Sequence, residues 1–228
     1  EGFCLRLAAE MRLPAAKAVV RQGAVTVLLI ERLDRLVTNG IWSAIHMEDF
    51  CQLMGVPPEQ KFEREGGLGI ADCILCIKRY STIPAVDMRS LFGWLVFNFL
   101  IGNGGAHAKQ LAMRHLPNGP RLTPFYGLMS THVYGELNHR MAMAIGGEER
   151  PDWVIPERWR TLAHEAGVRP SYVLEIVRDM AERIPVASAM VAELFQQEYG
   201  YASIIRDIRG LIERRARQLL VALEAERA

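Results

Sequence analysis

Apolar residues at Phe3, Leu5, Leu7, Ala8 and Met11 suit one face of a helix that stops before Pro14. The next stretch, AKAVVRQGAVTVLLIERLD, alternates in two runs about Gln22-Gly23, which predicts a β hairpin near residues 16 to 32. From residue 41 onward the alternation fades and helical spacing takes over. It recurs in MEDFCQLMG, GLGIADCILCIKRYS, VDMRSLFGWLVFNFLIG, PERWRTLAHEAG, SYVLEIVRDMAERIPVASAMVAEL and YASIIRDIRGLIERRARQLLVALEAE. Only residues 111 to 114 and 121 to 122 read as extended in this part, around the turn Pro117-Asn118-Gly119-Pro120. The pattern predicts a mainly α chain with a small β hairpin at its edge, and it contains no repeat or linker that demands a second domain.

Composition narrows the setting more than the function. Lys and Arg number 27 and Asp and Glu 26, so whole-chain charge gives no reason to expect nucleic acid or a membrane as partner. Cys4, Cys51, Cys73 and Cys76 are too few and too irregular for a disulfide framework, which favours a reducing compartment. The most apolar run, residues 91 to 102, is too short to span a bilayer. A soluble cytoplasmic protein is expected. The first residues already read as an amphipathic helix, which suggests a preceding segment.

Most chemical motifs have a plain structural reading. Cys73 and Cys76 lie in the apolar pattern ADCILCIK, with no second Cys or His pair at metal-ligand spacing, and read as core. Trp42, Trp94, Trp153 and Trp159 sit beside apolar partners and read as core or core edge. The Arg residues of RDIRGLIERRARQ read as a solvated helix face completed by Glu213. His46-Met47-Glu48-Asp49 invites a metal assignment, but acids in a first helical turn are favoured by the helix dipole, and capping is the simpler reading. Ser130, Thr131 and His132 lack the nucleophile-elbow pattern of a hydrolase. The loop GNGGAHAKQ, directly after a long apolar helix, is more informative: His107 and Lys109 follow its glycines at alternate positions. On spacing alone it is as compatible with a helix-ending turn as with a phosphate site. A second loop, RLTPFYGLMS, follows about twenty residues later. No carboxylate occurs from residue 98 to 130.

In the order CLRLAAEMRLPAA, LLIERLDR, IHMEDFCQLMG, EGGLGIADC, FNFLIGNGGAHAKQ, RLTPFYGLMST and MAMAIGGE, nearly the whole chain resembles the HipA-like serine/threonine kinases, the toxins of bacterial HipA/HipB toxin-antitoxin systems. The resemblance implies a kinase-like C-terminal lobe over residues 1 to 228, with residues 1 to 40 as a partial N-lobe and hinge and 41 to 228 as the helical body. It implies ATP and Mg²⁺ as cofactors, with Glu31 and Leu33 flanking the nucleotide base. A HipB-like helix-turn-helix antitoxin, or a chain bearing the N-lobe, is the implied partner, with DNA reached only through the antitoxin.

The departures are specific. Where the family has N-x-D-x-H-x-K-N, this chain has Asn103, Gly104, Gly105, Ala106, His107, Ala108, Lys109 and Gln110, so Gly105 takes the place of the catalytic Asp and Gln110 that of an Mg²⁺-binding Asn. Gly127 takes the place of a second metal-binding Asp. His107 and Lys109 are kept, in a cleft expected to favour an anion now that its acids are gone. Glu1 stands where the resemblance places a helix Glu that pairs with a nucleotide-contacting Lys, and that Lys is not in this chain. Mg²⁺ binding is therefore doubtful, and the leading expectation is a kinase-like lobe without catalytic competence. The alternatives are a divergent active kinase that recruits acids such as Glu136 or Asp87, and a helical partner-binding module with no nucleotide site. The isolated hairpin edge also allows self-association.

Overall fold

The computed structural model describes residues 1 to 226. Its centre is helix α4 (Pro84–Ile101), whose side chains from Leu91 to Ile101 are all buried. A helix apolar all round must be enclosed, and α4 is covered by α3 (Ile70–Tyr80), α6 (Pro170–Tyr199) and α7 (Ser203–Ala225). Helix α1 (Gly2–Glu10) lies on α6, and α5 (Pro156–Ala166) packs against α3, α6 and α7. The short α2 (Phe50–Met54) completes the body. The mainly α prediction holds, and among the described residues no helix is long and apolar enough to cross a membrane.

The predicted hairpin is present as β1 (Ala18–Arg21) and β2 (Val27–Ile30), antiparallel with Ala18 opposite Ile30. Strand structure continues past residue 40, contrary to the sequence reading. A second hairpin pairs β3 (Arg35–Thr38) with β4 (Ile41–Ala44) about Asn39 and Gly40, both at positive φ. An Asn-Gly pair favours this turn because both residues tolerate left-handed backbone, and the dipeptide was a legible signal in the sequence. A third sheet runs β5 (Met47–Asp49), β6 (Ala112–Leu116) and β7 (Gly119–Leu122). Its β6 and β7 are the extended pieces expected around residues 111 to 122.

Trp94 and Trp159 are fully buried, whereas Trp42 and Trp153 are 71% and 62% exposed and do not belong to the core. Trp153 instead carries the Arg150 guanidinium over its ring, and Trp42 projects from the β3–β4 hairpin, a two-stranded unit too small to bury it. All four cysteines are buried and free, and burial pushes the Cys73 and Cys76 thiols up, the latter to about 12.

Candidate functional site

Helix α4 ends at Gly102, whose φ of +72° closes the last turn in the left-handed region. Leu211 of α7 packs so closely there that a Cβ on Gly102 would lie 2.5 Å from its Cδ2. The loop that follows is therefore delivered from a rigid, buried base. Asn98 donates to the Trp94 carbonyl and accepts from Asn103, which also donates to the Gly127 carbonyl and accepts from the Gly105 N–H. One buried Asn thus ties the residue 103 to 110 loop to the residue 123 to 130 loop.

Thr131 and His132 brace this arrangement, and the Ser130 hydroxyl has no hydrogen-bond partner among the described residues, so the three make no hydrolytic triad. The Thr131 hydroxyl accepts from the Gly104 N–H and donates to the Gly102 carbonyl. Arg215 of α7 is buried, donates to the Phe99 carbonyl and stands 2.7 Å from His132 Nδ1. Burial, then the charge of Arg215, depresses the His132 pKa to about 3, so its imidazole is neutral. With Nδ1 accepting from Arg215, the proton sits on Nε2. That nitrogen faces Gly104, where a Cβ would approach to 2.8 Å. The sequence reading placed Arg215 on a solvated face. Its position four residues from both Leu211 and Leu219, two buried residues, was the signal that it shares their stripe.

The two loops bring Gly105, His107, Lys109, Gln110 and Gly127 together. Gly105 faces space: the nearest atom a Cβ would meet is Asn103 Oδ1, at 3.5 Å. Gly127 differs. It has a φ of +66°, and a Cβ there would lie 2.8 Å from Gln110 Nε2. The Gln110 amide covers the Cα of Gly127, and its buried Oε1 has no hydrogen-bond partner among the described residues. His107 packs edge-on against Phe62 at 5.6 Å between ring centroids, and burial lowers its pKa, so it supplies a neutral ring rather than a cation.

Two carboxylates enter from outside the loops: Asp49, which the sequence offers as a capping acid, and Glu1, at the place of the helix Glu in the resemblance. Asp49 caps α2 through the Gln52 N–H with one oxygen and holds Lys109 Nζ at 2.8 Å with the other. Lys109 is therefore paired with an acid, contrary to the expectation of a cleft without competing carboxylates. Glu48, read as a capping acid, belongs to β5, and only Asp49 caps. The Glu1 carboxylate accepts from the Gly127 N–H at 3.0 Å. Asp87 lies elsewhere, bound by Arg121, Ser81 and the Leu122 N–H.

Glu31 and Leu33 follow β2. Glu31 is exposed, with its N–H on the Lys17 carbonyl and its carboxylate 3.6 Å from Lys17 Nζ, while Leu33 packs against the core. Pro14 and Ala16 exchange backbone hydrogen bonds with Phe125, so the chain entering the hairpin is tied to the loop carrying Gly127. The family model for the HipA-like C-terminal domain matches residues 1 to 188. The chain belongs to that family.

The relatives agree with this assignment. The Y4mE protein of Sinorhizobium fredii is 37% identical over 195 residues, covering 85% of this chain and 46% of that protein. The serine/threonine-protein kinase toxin HipA of Shewanella oneidensis is 28% identical over 204 residues, covering 84% of this chain and 47% of the relative. The chain spans about half the length of these relatives. Among solved structures, HipA of Shewanella oneidensis in complex with HipB and its operator DNA matches with a TM-score of 0.88 at 23% identity, covering 99% of this chain and 56% of that one. The proinflammatory kinase CtkA of Helicobacter pylori matches more loosely, with a TM-score of 0.64 at 11% identity over 97% of this chain and 80% of that one. The HipA-like fold is thereby shown.

Proposed function

We propose that this HipA-like domain is a kinase C-terminal lobe that has lost phosphoryl transfer and retains a binding or regulatory role. The carrying observation is the contact between Gln110 and Gly127. If Gln110 and Gly127 stand at the two metal-ligand positions, one of them has no side chain and the other has its amide folded over the vacated position. Mg²⁺ needs near-octahedral oxygen donors, and a phosphoryl-transfer site needs an acid to orient the nucleophile. The residues present do not fit that cation: Glu1 is bonded to the Gly127 N–H, Asp49 is spent on Lys109 and the Gln52 N–H, and Gly105 has no carboxylate. Groups that act as a unit in such a site are not independently replaceable.

The nucleotide, if bound, lies against Glu31 and Leu33 and near Lys109. The partner is a HipB-like helix-turn-helix antitoxin or a chain bearing the N-lobe, with DNA engaged only through the antitoxin. The HipB and operator complex of the Shewanella relative supports the first. Exposed Val19, Val27, Leu29, Val37, Ile41 and Trp42 on the two hairpins support packing by a further lobe or a second copy.

The test is labelled phosphate transfer from ATP, autophosphorylation included. It compares the native chain with Gly105→Asp/Gln110→Asn/Gly127→Asp, each also joined to the upstream half of a relative. The native chain is expected to be silent in both forms. The triple reversion is expected to regain Mg²⁺-dependent nucleotide binding, and transfer only when the upstream half is present. Turnover by the native chain at an ordinary kinase rate sinks the proposal and favours a divergent kinase that uses Glu1 as its relocated acid. A folded, completed revertant that binds no nucleotide sinks the assignment of the three positions.

A further inference from the structure

Outside the two loops, the antiparallel register of β5 and β6 builds a second cluster. Met47 opposes Arg114 and Glu48 opposes Met113, and the His115 N–H donates to the His46 carbonyl, so His46 and His115 face each other across the strands. Glu48 lies two residues from His46 and shares its face. The result is a two-histidine, one-carboxylate group at the surface. His46 Nε2 and His115 Nε2 lie 3.1 and 3.2 Å from the same oxygen, Glu48 Oε2, and the ligand atoms all fall within 4.8 Å of one another. The two rings are tilted, with centroids 5.0 Å apart.

We infer that His46, Glu48 and His115 form a binding site for a transition-metal dication of the Zn²⁺ class. Ligand atoms bound to one Zn²⁺ at about 2.0 to 2.2 Å in tetrahedral geometry stand about 3.3 Å from each other. Both His–Glu separations already approach that value. Only a modest approach of the two exposed imidazole tips completes the set, since side-chain rotation at a surface meets little resistance. Two nitrogens and one oxygen select Zn²⁺, Ni²⁺ or Cu²⁺ over Mg²⁺ and Ca²⁺, which prefer all-oxygen shells. Three protein ligands leave a fourth position for water or for a donor from a partner.

The position gives the site a consequence. Glu48 and Asp49 are consecutive on β5 and point to opposite faces. Glu48 holds the metal on one face, and Asp49 holds Lys109 on the other. A metal that clips β5 to β6 therefore stiffens the strand that fixes Lys109, and does so without touching the loop glycines.

The experiment uses the untagged chain and Zn²⁺ alone, titrated calorimetrically and followed by thermal melting, with Co²⁺ as a spectroscopic probe. The native chain is expected to bind one Zn²⁺ and to melt higher with it, while Mg²⁺ has no such effect. His115→Ala and Glu48→Gln are each expected to weaken Zn²⁺ at least about tenfold, since changing even an outer-shell partner of a metal ligand costs about 10- to 100-fold. His46→Ala/His115→Ala is expected to abolish both the binding and the melting shift, with an unchanged circular dichroism spectrum. Co²⁺ is expected to give visible d–d bands without the near-ultraviolet thiolate band. Absence of saturable Zn²⁺ binding by the native chain overturns the inference. So does binding that survives the double variant, or a Co²⁺ thiolate band, which would move the metal to the cysteines.

Discussion

Gly105 and Gly127 replace acids in the same resemblance, yet the fold treats them as opposite cases. Gly105 faces space: a Cβ there would meet only Asn103 Oδ1, at 3.5 Å. Gly127 sits in left-handed backbone beneath the Gln110 amide, so a residue without a side chain at 127 and a long side chain at 110 fit each other. An acid can return to one position alone, and to the other only if a neighbour yields. That difference separates a position open to a larger side chain from one whose neighbour already fills the space.

The largest effect is expected where the contact between Gln110 and Gly127 is tested directly. Gly127→Asp should destabilise the chain by about 3 kcal/mol, about 1 from forcing a side chain into left-handed backbone and the rest from overlap with Gln110. Adding Gln110→Ala should recover about 1 to 2 kcal/mol, a coupling that a double-mutant cycle in urea measures directly. Simple additivity of the two substitutions would mean that they do not share one space.

The floor beneath Gly104 comes next. Arg215→Met should cost about 2 kcal/mol in chemical denaturation, because the buried His132 Nδ1 loses its donor. A loss well under 1 kcal/mol would show that the floor is not fixed by this contact. Amide exchange at Gly104 and Gly105 should accelerate in the same variant, since Phe99 and His132 position the turn that carries them.

The strand leading into Gly127 supplies a pH test of smaller size. Burial alone raises the Asp87 pKa, but the Arg121 guanidinium, the Ser81 hydroxyl and the Leu122 N–H more than offset it, and the net shift is downward. A carboxyl whose folded pKa lies below its unfolded value of about 3.9 binds protons more readily when unfolded. It stabilises the fold fully above that value and loses the contribution as pH falls through the folded pKa. Asp87→Asn should therefore be less stable than the native chain at neutral pH, with the difference closing below about pH 4. A difference that stays constant through that range would mean that the ion pair with Arg121 is not its source.

Much of this was legible because long-range contact was not needed to read it. The helices announced themselves by period, and the buried α4 by its apolar run from Leu91 to Ile101, broken by Asn98. Motif order drew attention to positions 105, 110 and 127, and the fold brings 110 and 127 into contact. What was hidden depends on register and side-chain reach. Asp49 looks like a cap in sequence, and only the packing of α2 against the 3-10 turn at residues 108 to 110 brings it to Lys109. His115 is sixty-seven residues beyond Glu48, and only the pairing of β5 with β6 joins them. Arg215 was hidden differently: charge alone assigned it to solvent, while its place in the apolar stripe said otherwise.

The smallest expected effect is also the sharpest. Gly105→Asp should change stability by no more than about 0.5 kcal/mol, because Gly105 has ordinary negative-φ backbone and a Cβ meets only Asn103 Oδ1, at van der Waals distance. No other heavy atom outside the neighbouring residues lies within 4 Å of that Cβ. The substitution should nonetheless leave phosphate transfer undetectable, since Gln110 still covers Gly127 and no second acid has returned. Melting temperature and labelled transfer from ATP, measured on the same preparation, test both halves. A destabilisation of 2 kcal/mol or more would mean that the loop around Gly105 has closed as the one around Gly127 has, and the contrast between them would fail. Transfer restored by this single change would mean that the metal site never depended on positions 110 and 127.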